Sequence, residues 1–465
     1  MVEFANHAWG IPLLVLLVGG GVFFLLYCRF IPYRHFGHGV EILTGKYEDP
    51  NAPGDINHFQ ALSSALAATV GMGNISGVAI ALGTGGPGAI FWMWITALVG
   101  MATKFFSCTL SILYRGKDTS GKIQGGPMYF IVEGLGKKWK PLAIFFAFAG
   151  LFGCTPMFQA NQLTQIIRDT VLAEHGWLGY DTMILAGTVL TEIGFRLSDI
   201  IMGIILVGLV SLVIFGGIKR IGHVAARLVP LMVVIYVFTV LYIIFNNIVD
   251  LPYYFWFIVT DAFSGEAAAG GALGVVISNG IRRGAFSNEA GIGMEAMAHG
   301  AAKTREPVRE GLVAMLEPAI DTLLICTMTA MALLMTGVWS DTTVDGITMT
   351  AMAFETGVPV LGAWLLIICV FIFSITTMFT YSYYGTKCLN FLAGADKKHY
   401  YNYFYIFTIF LGAITTIDMV INLIDGMFAM MAIPTMTASI LLAPKVMNAA
   451  KDYFRRRELG DFDDA

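Results

Sequence analysis

The segment Gly71-Met72-Gly73-Asn74-Ile75-Ser76-Gly77 interrupts an apolar stretch, residues 59–82, that is long enough to cross a bilayer. Glycines weaken a helix, and Asn74 and Ser76 bring polar groups to a depth where lipid offers no partner. Irregular backbone is tolerated at that depth only where it lines a cavity or is buried in protein. A broken helix also has two unsatisfied ends. The half before the break exposes carbonyls, which suit a cation, and the half after it exposes amides, which suit an anion. One break therefore offers both poles that a zwitterion needs. Here the amides of Met72 and Gly73 are the candidate holders of a carboxylate, and the carbonyls near Ala67, Thr69 and Val70 the candidates to face sodium or an ammonium group. Gly71 and Gly73 permit close approach because they lack side chains. The competing reading is a glycine-rich helix-packing face, since Gly73 and Gly77 have small-xxx-small spacing.

Other polar residues lie inside apolar runs. Gln159 sits in Phe158-Gln159-Ala160-Asn161, and Thr376-Thr377 offers adjacent hydroxyls, oxygen ligands of the kind a desolvated Na⁺ prefers. Such hydroxyls also commonly bond their own helix four residues back. Glu317 and Asp321 are four apart and share a helix face, as a proton relay or as partners of a neighbouring helix. Asp261 is a candidate for an ammonium group, with the adjacent Phe263 in the same substrate set, or else an interfacial residue at a helix end. Asp418, Asn422 and Asp425 share a face of the last apolar run, as a vestibule lining or a gate.

The elements that must carry these groups are membrane helices. The 465 residues are 57% hydrophobic and only 13% charged, with mean hydropathy +0.72, and soluble domains carry about 25% charged residues. About eleven spans are predicted: residues 9–30, 57–83, 88–114, 141–172, 197–217, 225–248, 252–283, 309–337, 360–386, 401–417 and 419–443. With the C-terminus inside and the N-terminus outside, nearly all Lys and Arg fall in cytoplasmic loops, Arg168 and Arg196 being placed outside. The predicted outer loops are acidic, with Glu174, Asp181, Glu192, Asp250, Asp341, Asp345 and Glu355. The span 252–283 is long and interrupted at 264–271, which predicts a second broken helix ending at a cytoplasmic Arg282-Arg283. A long outer loop followed by one short helix is the alternative.

The expected fold is all-α and polytopic: residues 1–56 form one extra N-terminal helix and connector, 57–248 a five-helix repeat, 249–443 a second repeat of inverted topology, and 444–465 a cytoplasmic tail. The scattered cysteines predict buried free thiols, and the histidines in or near cytoplasmic segments predict solvated ones. Gly71-x-Gly73 is no dinucleotide loop, since no strand surrounds it, and GTGGPG at 83–88 reads as a turn between spans. No nucleophile or metal-ligand cluster stands out, so no catalytic residue, enzymatic cofactor or nucleic-acid partner is expected.

Several long motifs resemble the alanine or glycine:cation symporter family: GGPGAIFWMWITALVGMATKF (85–105), IQGGPMYFIVEGLG (123–136), RRGAFSNEAGIG (282–293) and IDTLLICTMTA (320–330). The resemblance, from about residue 10 to 445, implies a LeuT-type fold and cotransport of alanine or glycine with Na⁺ across the cytoplasmic membrane. The run Val70–Asn74 is also similar to the unwound first helix of neurotransmitter:sodium symporters. That similarity implies that Met72 and Gly73 bind the substrate carboxylate, that Thr69 and Asn74 belong to one sodium site, and that Ala67, Val70, Thr376 and Thr377 form another. Gly77 stands where those symporters carry a gating arginine, which puts an Arg–Asp outer gate in doubt, and Ser107 stands where many alanine-symporter relatives carry Glu. Alternating access by a sodium-coupled symporter is the functional expectation. Proton coupling through Glu317 or Asp321 is the alternative.

Overall fold

The computed structural model describes residues 2–172, 196–264, 272–341, 344 and 346–462. Among them the chain is almost entirely helical, and a single two-stranded ladder pairs Gly116–Lys117 with Ile123–Gln124. Eight helices among the described residues are long and apolar enough to cross a membrane.

The elements that build the site are α1 (Ile11–Tyr27), α2 (His58–Thr69), α3 (Met72–Gly85), α4 (Gly88–Leu113) and α5 (Met157–Ile166). They continue with α6 (Gly217–Asn246), α7 (Ala272–Asn288), α8 (Glu295–His299), α9 (Pro307–Ala314) and α10 (Thr327–Thr336). The last four are α11 (Gly346–Gly357), α12 (Gly362–Ala393), α13 (Lys398–Ile414) and α14 (Ile417–Glu458).

Burial separates the centre from the rim. The most apolar window of the α2–α3 pair is 94% buried, whereas that of Leu197–Ile214 is 33% buried. The latter helix exposes Ile201, Ile204 and Leu212, as expected of a helix that is apolar all round and faces lipid. The interrupted helix with the polar residues is thus the one wrapped most completely by the others.

The second predicted interruption falls largely outside the described residues. Within the predicted span 252–283, the helix Leu251–Asp261 ends before residue 264 and α7 begins at Ala272. The predicted break at 264–271 lies outside the described residues, apart from Ser264. Among the described residues, a non-helical gap lies at 289–294 between α7 and α8. Arg282 and Arg283 do not end a span at a cytoplasmic loop. They lie within α7, and both pair with the buried Asp425 of α14.

The first half-helix starts on a reciprocal cap. Asn57 Oδ1 accepts from the Gln60 amide at 2.8 Å, and Gln60 Oε1 accepts from the Asn57 amide at 3.2 Å. Asn57→Ala should cost about 1 kcal/mol, read as a lower thermal midpoint in detergent, and Gln60→Ala less. An unchanged midpoint would mean that packing alone holds the start of α2.

Candidate functional site

The break occupies two residues. Val70 donates the last bond of α2 to the Leu66 carbonyl at 2.7 Å, and Val70 and Gly71 are then extended. Asn74 folds back to close the start of α3: its Oδ1 accepts from the Gly71 amide at 2.7 Å, while its own amide donates to the Gly71 carbonyl at 3.1 Å. The next two amides, of Met72 and Gly73, begin a helix whose first turn has no carbonyl for them. The glycines are needed for proximity. A Cβ on Gly71 would stand 2.8 Å from Thr377 Oγ1, and one on Gly73 would stand 3.3 Å from Ser287 Cα and 3.4 Å from the Phe286 ring. A Cβ on Gly77 would meet nothing nearer than 3.9 Å, so the stripe 73–77 is not a packing face along its length.

The two threonines of α12 part company. Thr377 Oγ1 lies 2.8 Å from the Ala67 carbonyl and 3.0 Å from that of Phe373, so it closes on the open end of α2. Thr376 bonds its own helix at the Ile372 carbonyl (2.9 Å) and faces Met232 of α6. The structure brings Ala67 and Thr377 together but does not bring Thr376 to them.

Thr69 and Asn74 meet acidic partners. Thr69 donates to Glu317 Oε1 at 2.9 Å. Asn74 Nδ2 donates to Asp321 Oδ1 at 2.7 Å, and the Ser287 and Thr322 hydroxyls both donate to Asp321 Oδ2 at 2.7 Å. Asp321 sits in a π-helical segment, Ala319–Cys326, a wide turn often found at functional sites. Ser287 lies in the last turn of α7, so this carboxylate gathers α3, α7 and the π segment at one point. No basic side chain among the described residues lies within 4 Å of it.

Glu317 is compensated differently. Lys104 Nζ lies 2.7 Å from its Oε2, and both side chains are fully buried. His299 Nε2 stands 3.9 Å from the same oxygen, and His299 Nδ1 bonds Glu310 Oε1 at 2.5 Å. His58 closes on the other Glu310 oxygen. One stretch of chain thus grips α2 at both ends, by Glu310 at His58 and by Glu317 at Thr69. His58 and His299 are buried, which corrects the expectation of solvated histidines. The six cysteines are buried and free. Ser107 donates to buried Glu295 at 2.9 Å, so it sits beside a carboxylate rather than supplying one. Sequence reasoning missed Lys104, Glu289 and Glu295. The signal for Lys104 is a lysine inside an apolar span, whereas the two glutamates fall between the predicted spans 252–283 and 309–337 and carry no such signal.

Gln159 is buried, with its Oε1 left without a hydrogen-bond partner, and Phe158 beside it stacks edge-on against Phe286 at 5.1 Å. Phe286 in turn lies under the Arg283 guanidinium, 5.0 Å from its ring centroid. Asn161 caps the end of α13 through the Thr415 carbonyl at 2.6 Å. Asp261 and Phe263 are not at the break. Asp261 Oδ2 accepts from the Gly88 amide at 2.7 Å, where a carboxylate caps the start of α4. Phe263 packs on Phe91 and Trp92 and is 58% exposed. Asp418 lines a cavity of 260 Å³ with Ile80, Trp339 and Met349. Gly77 supplies no arginine, and Asp425 pairs instead with Arg282 and Arg283 of α7.

These features describe a membrane protein built around an interrupted, fully wrapped helix with polar groups at its break. The chain belongs to the sodium:alanine symporter family, whose model matches residues 1–464; it is a transporter for amino-acid symport, not an enzyme. It is 37% identical over 456 residues to the sodium/alanine symporter AgcS of Methanococcus maripaludis, covering 96% of this chain and 95% of AgcS. It is 34% identical over 462 residues to the probable sodium/glutamine symporter GlnT of Bacillus subtilis, covering 99% of this chain and 91% of GlnT. Its fold is similar to that of MhsT, solved in complex with L-phenylalanine: TM-score 0.60 at 15% identity, over 84% of this chain and 89% of that one.

Lys104→Met would leave Glu317 buried without its cation, which should cost about 3–5 kcal/mol. The thermal midpoint should fall steeply, and Glu317→Gln added to it should recover most of the loss. A single variant as stable as the parent would contradict the pairing.

Proposed function

We propose that the chain is a sodium-coupled symporter that carries a small neutral amino acid, alanine or glycine, into the cell by alternating access. The observation that carries this reading is the open break at Val70–Gly71, with Thr377 Oγ1 2.8 Å from the Ala67 carbonyl on one side and the Met72 and Gly73 amides on the other. A zwitterion needs an anion pole and a cation pole, and an interrupted helix supplies both without a mobile side chain. In this reading the Met72 and Gly73 amides take the carboxylate, and Gln159 borders the substrate.

Two cation sites follow. One uses the Ala67 and Val70 carbonyls with Thr377, leaving out Thr376. The other uses Asn74 with Thr69, Ser287 and Asp321, where a carboxylate held by three donors has no basic partner among the described residues. Sodium fits oxygen donors of this kind. The proton-coupled alternative through Glu317 is disfavoured because Lys104 already neutralises that carboxylate at 2.7 Å. The eight long spans, with α1, α7 and α13 as shorter ones, would make eleven crossings: α1 followed by two inverted sets of five. The N-terminus would then be outside and the C-terminus cytoplasmic, in the cytoplasmic membrane.

Proteoliposomes should accumulate labelled alanine or glycine under an inward Na⁺ gradient. Equal uptake without Na⁺, or uptake driven only by a proton gradient, would sink the sodium reading. Thr377→Ala should raise the Na⁺ concentration for half-maximal uptake about tenfold, which corresponds to about 1.4 kcal/mol. Thr376→Ala should shift it less than about twofold, a change within the range of substitutions remote from a site. The reverse order would reassign the site.

A further inference from the structure

The gap between α7 and α8 holds an acidic residue that none of the sites above uses. Glu289 has φ +57°, in the left-handed region that an extended side chain rarely occupies. Its side chain is fully buried. One carboxylate oxygen, Oε1, accepts from the Tyr381 hydroxyl of α12 at 2.6 Å. The other, Oε2, is buried and has no hydrogen-bond partner. The Tyr384 hydroxyl, one turn further along α12, is likewise buried without a partner, and the rings of the two tyrosines lie 6.1 Å apart.

A buried carboxylate with a free oxygen calls for a cation or donor. Among the described residues, no donor reaches Oε2. The buried lysine of this region, Lys104, is committed to Glu317 at 2.7 Å, and no basic side chain among the described residues lies within 4 Å of Glu289. The position is close to the amide cradle. Ser287, two residues earlier, packs directly against Gly73, and two residues of chain span at most about 7 Å. A strained backbone that holds an unpaired acid beside a ligand cradle is the usual mark of a functional constraint.

Resting on the symporter reading above, we propose that Glu289, oriented by Tyr381, receives the ammonium group of the transported amino acid through its free Oε2. The ammonium is the only strong hydrogen-bond donor that a small neutral amino acid carries. Its three N–H bonds can serve Glu289 and the acceptor face of the Tyr384 hydroxyl together. Sodium has other oxygen sets: the Ala67 carbonyl with Thr377, and Asn74 with Asp321. The substrate would then be held at its carboxylate by the first interrupted helix and at its ammonium by the second. A molecule with a hydroxyl in place of the ammonium would offer Glu289 one neutral donor and no charge, leave the buried carboxylate uncompensated, and be disfavoured.

The test is equilibrium binding of labelled alanine to the purified full-length protein at saturating Na⁺, with unlabelled alanine and lactate as competitors. The wild type should prefer alanine to lactate by a wide margin. Glu289→Gln should weaken alanine binding at least about tenfold while lactate changes less than about threefold, so the preference collapses. The Na⁺ concentration for half-maximal binding, read separately from Na⁺-induced thermal stabilisation, should move less than about twofold. Glu289→Asp should restore part of the preference. Tyr381→Phe, a milder change that keeps the carboxylate, should lower the preference in the same direction and serves if Glu289→Gln does not fold. An unchanged alanine affinity, an equal loss for alanine and lactate, a change confined to the Na⁺ requirement, or an unaltered preference in Tyr381→Phe would each overturn the assignment. A wild type that binds no small amino acid in Na⁺ would overturn the symporter reading itself, a failure visible before any variant is made.

Discussion

A backbone amide or carbonyl without a partner is expensive where water is absent, and the arrangement around α2 and α3 follows from that cost. A continuous helix would satisfy every group. The extended Val70–Gly71 step forgoes this, and the structure repairs only part of the loss. Asn74 occupies the Gly71 amide, and Thr377 reaches the Ala67 carbonyl. The Met72 and Gly73 amides remain at the start of α3. The polar side chains nearby are attached to helices that must stay at fixed distance for these repairs to hold, which is why the interrupted helix is also the most deeply enclosed.

Charge obeys the same constraint. Buried acids occur here in three settings. Glu317 and Glu310 are matched by Lys104, His58 and His299, which ties α2 to α4, α8 and α9. Asp425 is matched by Arg282 and Arg283, which ties α7 to α14. Asp321, Glu289 and Glu295 accept hydrogen bonds but have no basic partner within 4 Å among the described residues. The first two groups are complete as structure. The third has no such match, and Asp321 and Glu289 lie beside residues that line the first break. Buried pairs contribute little net stability, but breaking one is costly, so the matched groups act as latches on helix position.

Much of this was legible in the sequence, for physical reasons. The first break announces itself because Gly, Asn and Ser at membrane depth conflict with a continuous helix, and the structure interrupts the helix at Val70–Gly71 as that conflict requires. The gap at 289–294 is not predicted from the sequence, because its residues follow Arg282-Arg283 and read as a loop, and the predicted break at 264–271 lies, apart from Ser264, outside the described residues. Two basic residues followed by polar ones read as a loop end, yet Arg282 and Arg283 stay inside α7 because Asp425, more than a hundred residues away, neutralises them. That compensation is tertiary and leaves no local trace. The same holds for His58, His299 and Glu310. Thr376 and Thr377 are identical in type and adjacent, and only the rotation of α12 decides that one faces α2 and the other α6.

The central claim is that the first interruption binds the carboxylate of an amino acid through its free amides. A structure determined with Na⁺ and bound alanine tests it most directly. The account predicts the ligand carboxylate within hydrogen-bond distance of the Met72 and Gly73 amides, with the α2–α3 break retained. A ligand bound elsewhere, or residues 70–73 wound into continuous helix with substrate present, would contradict it.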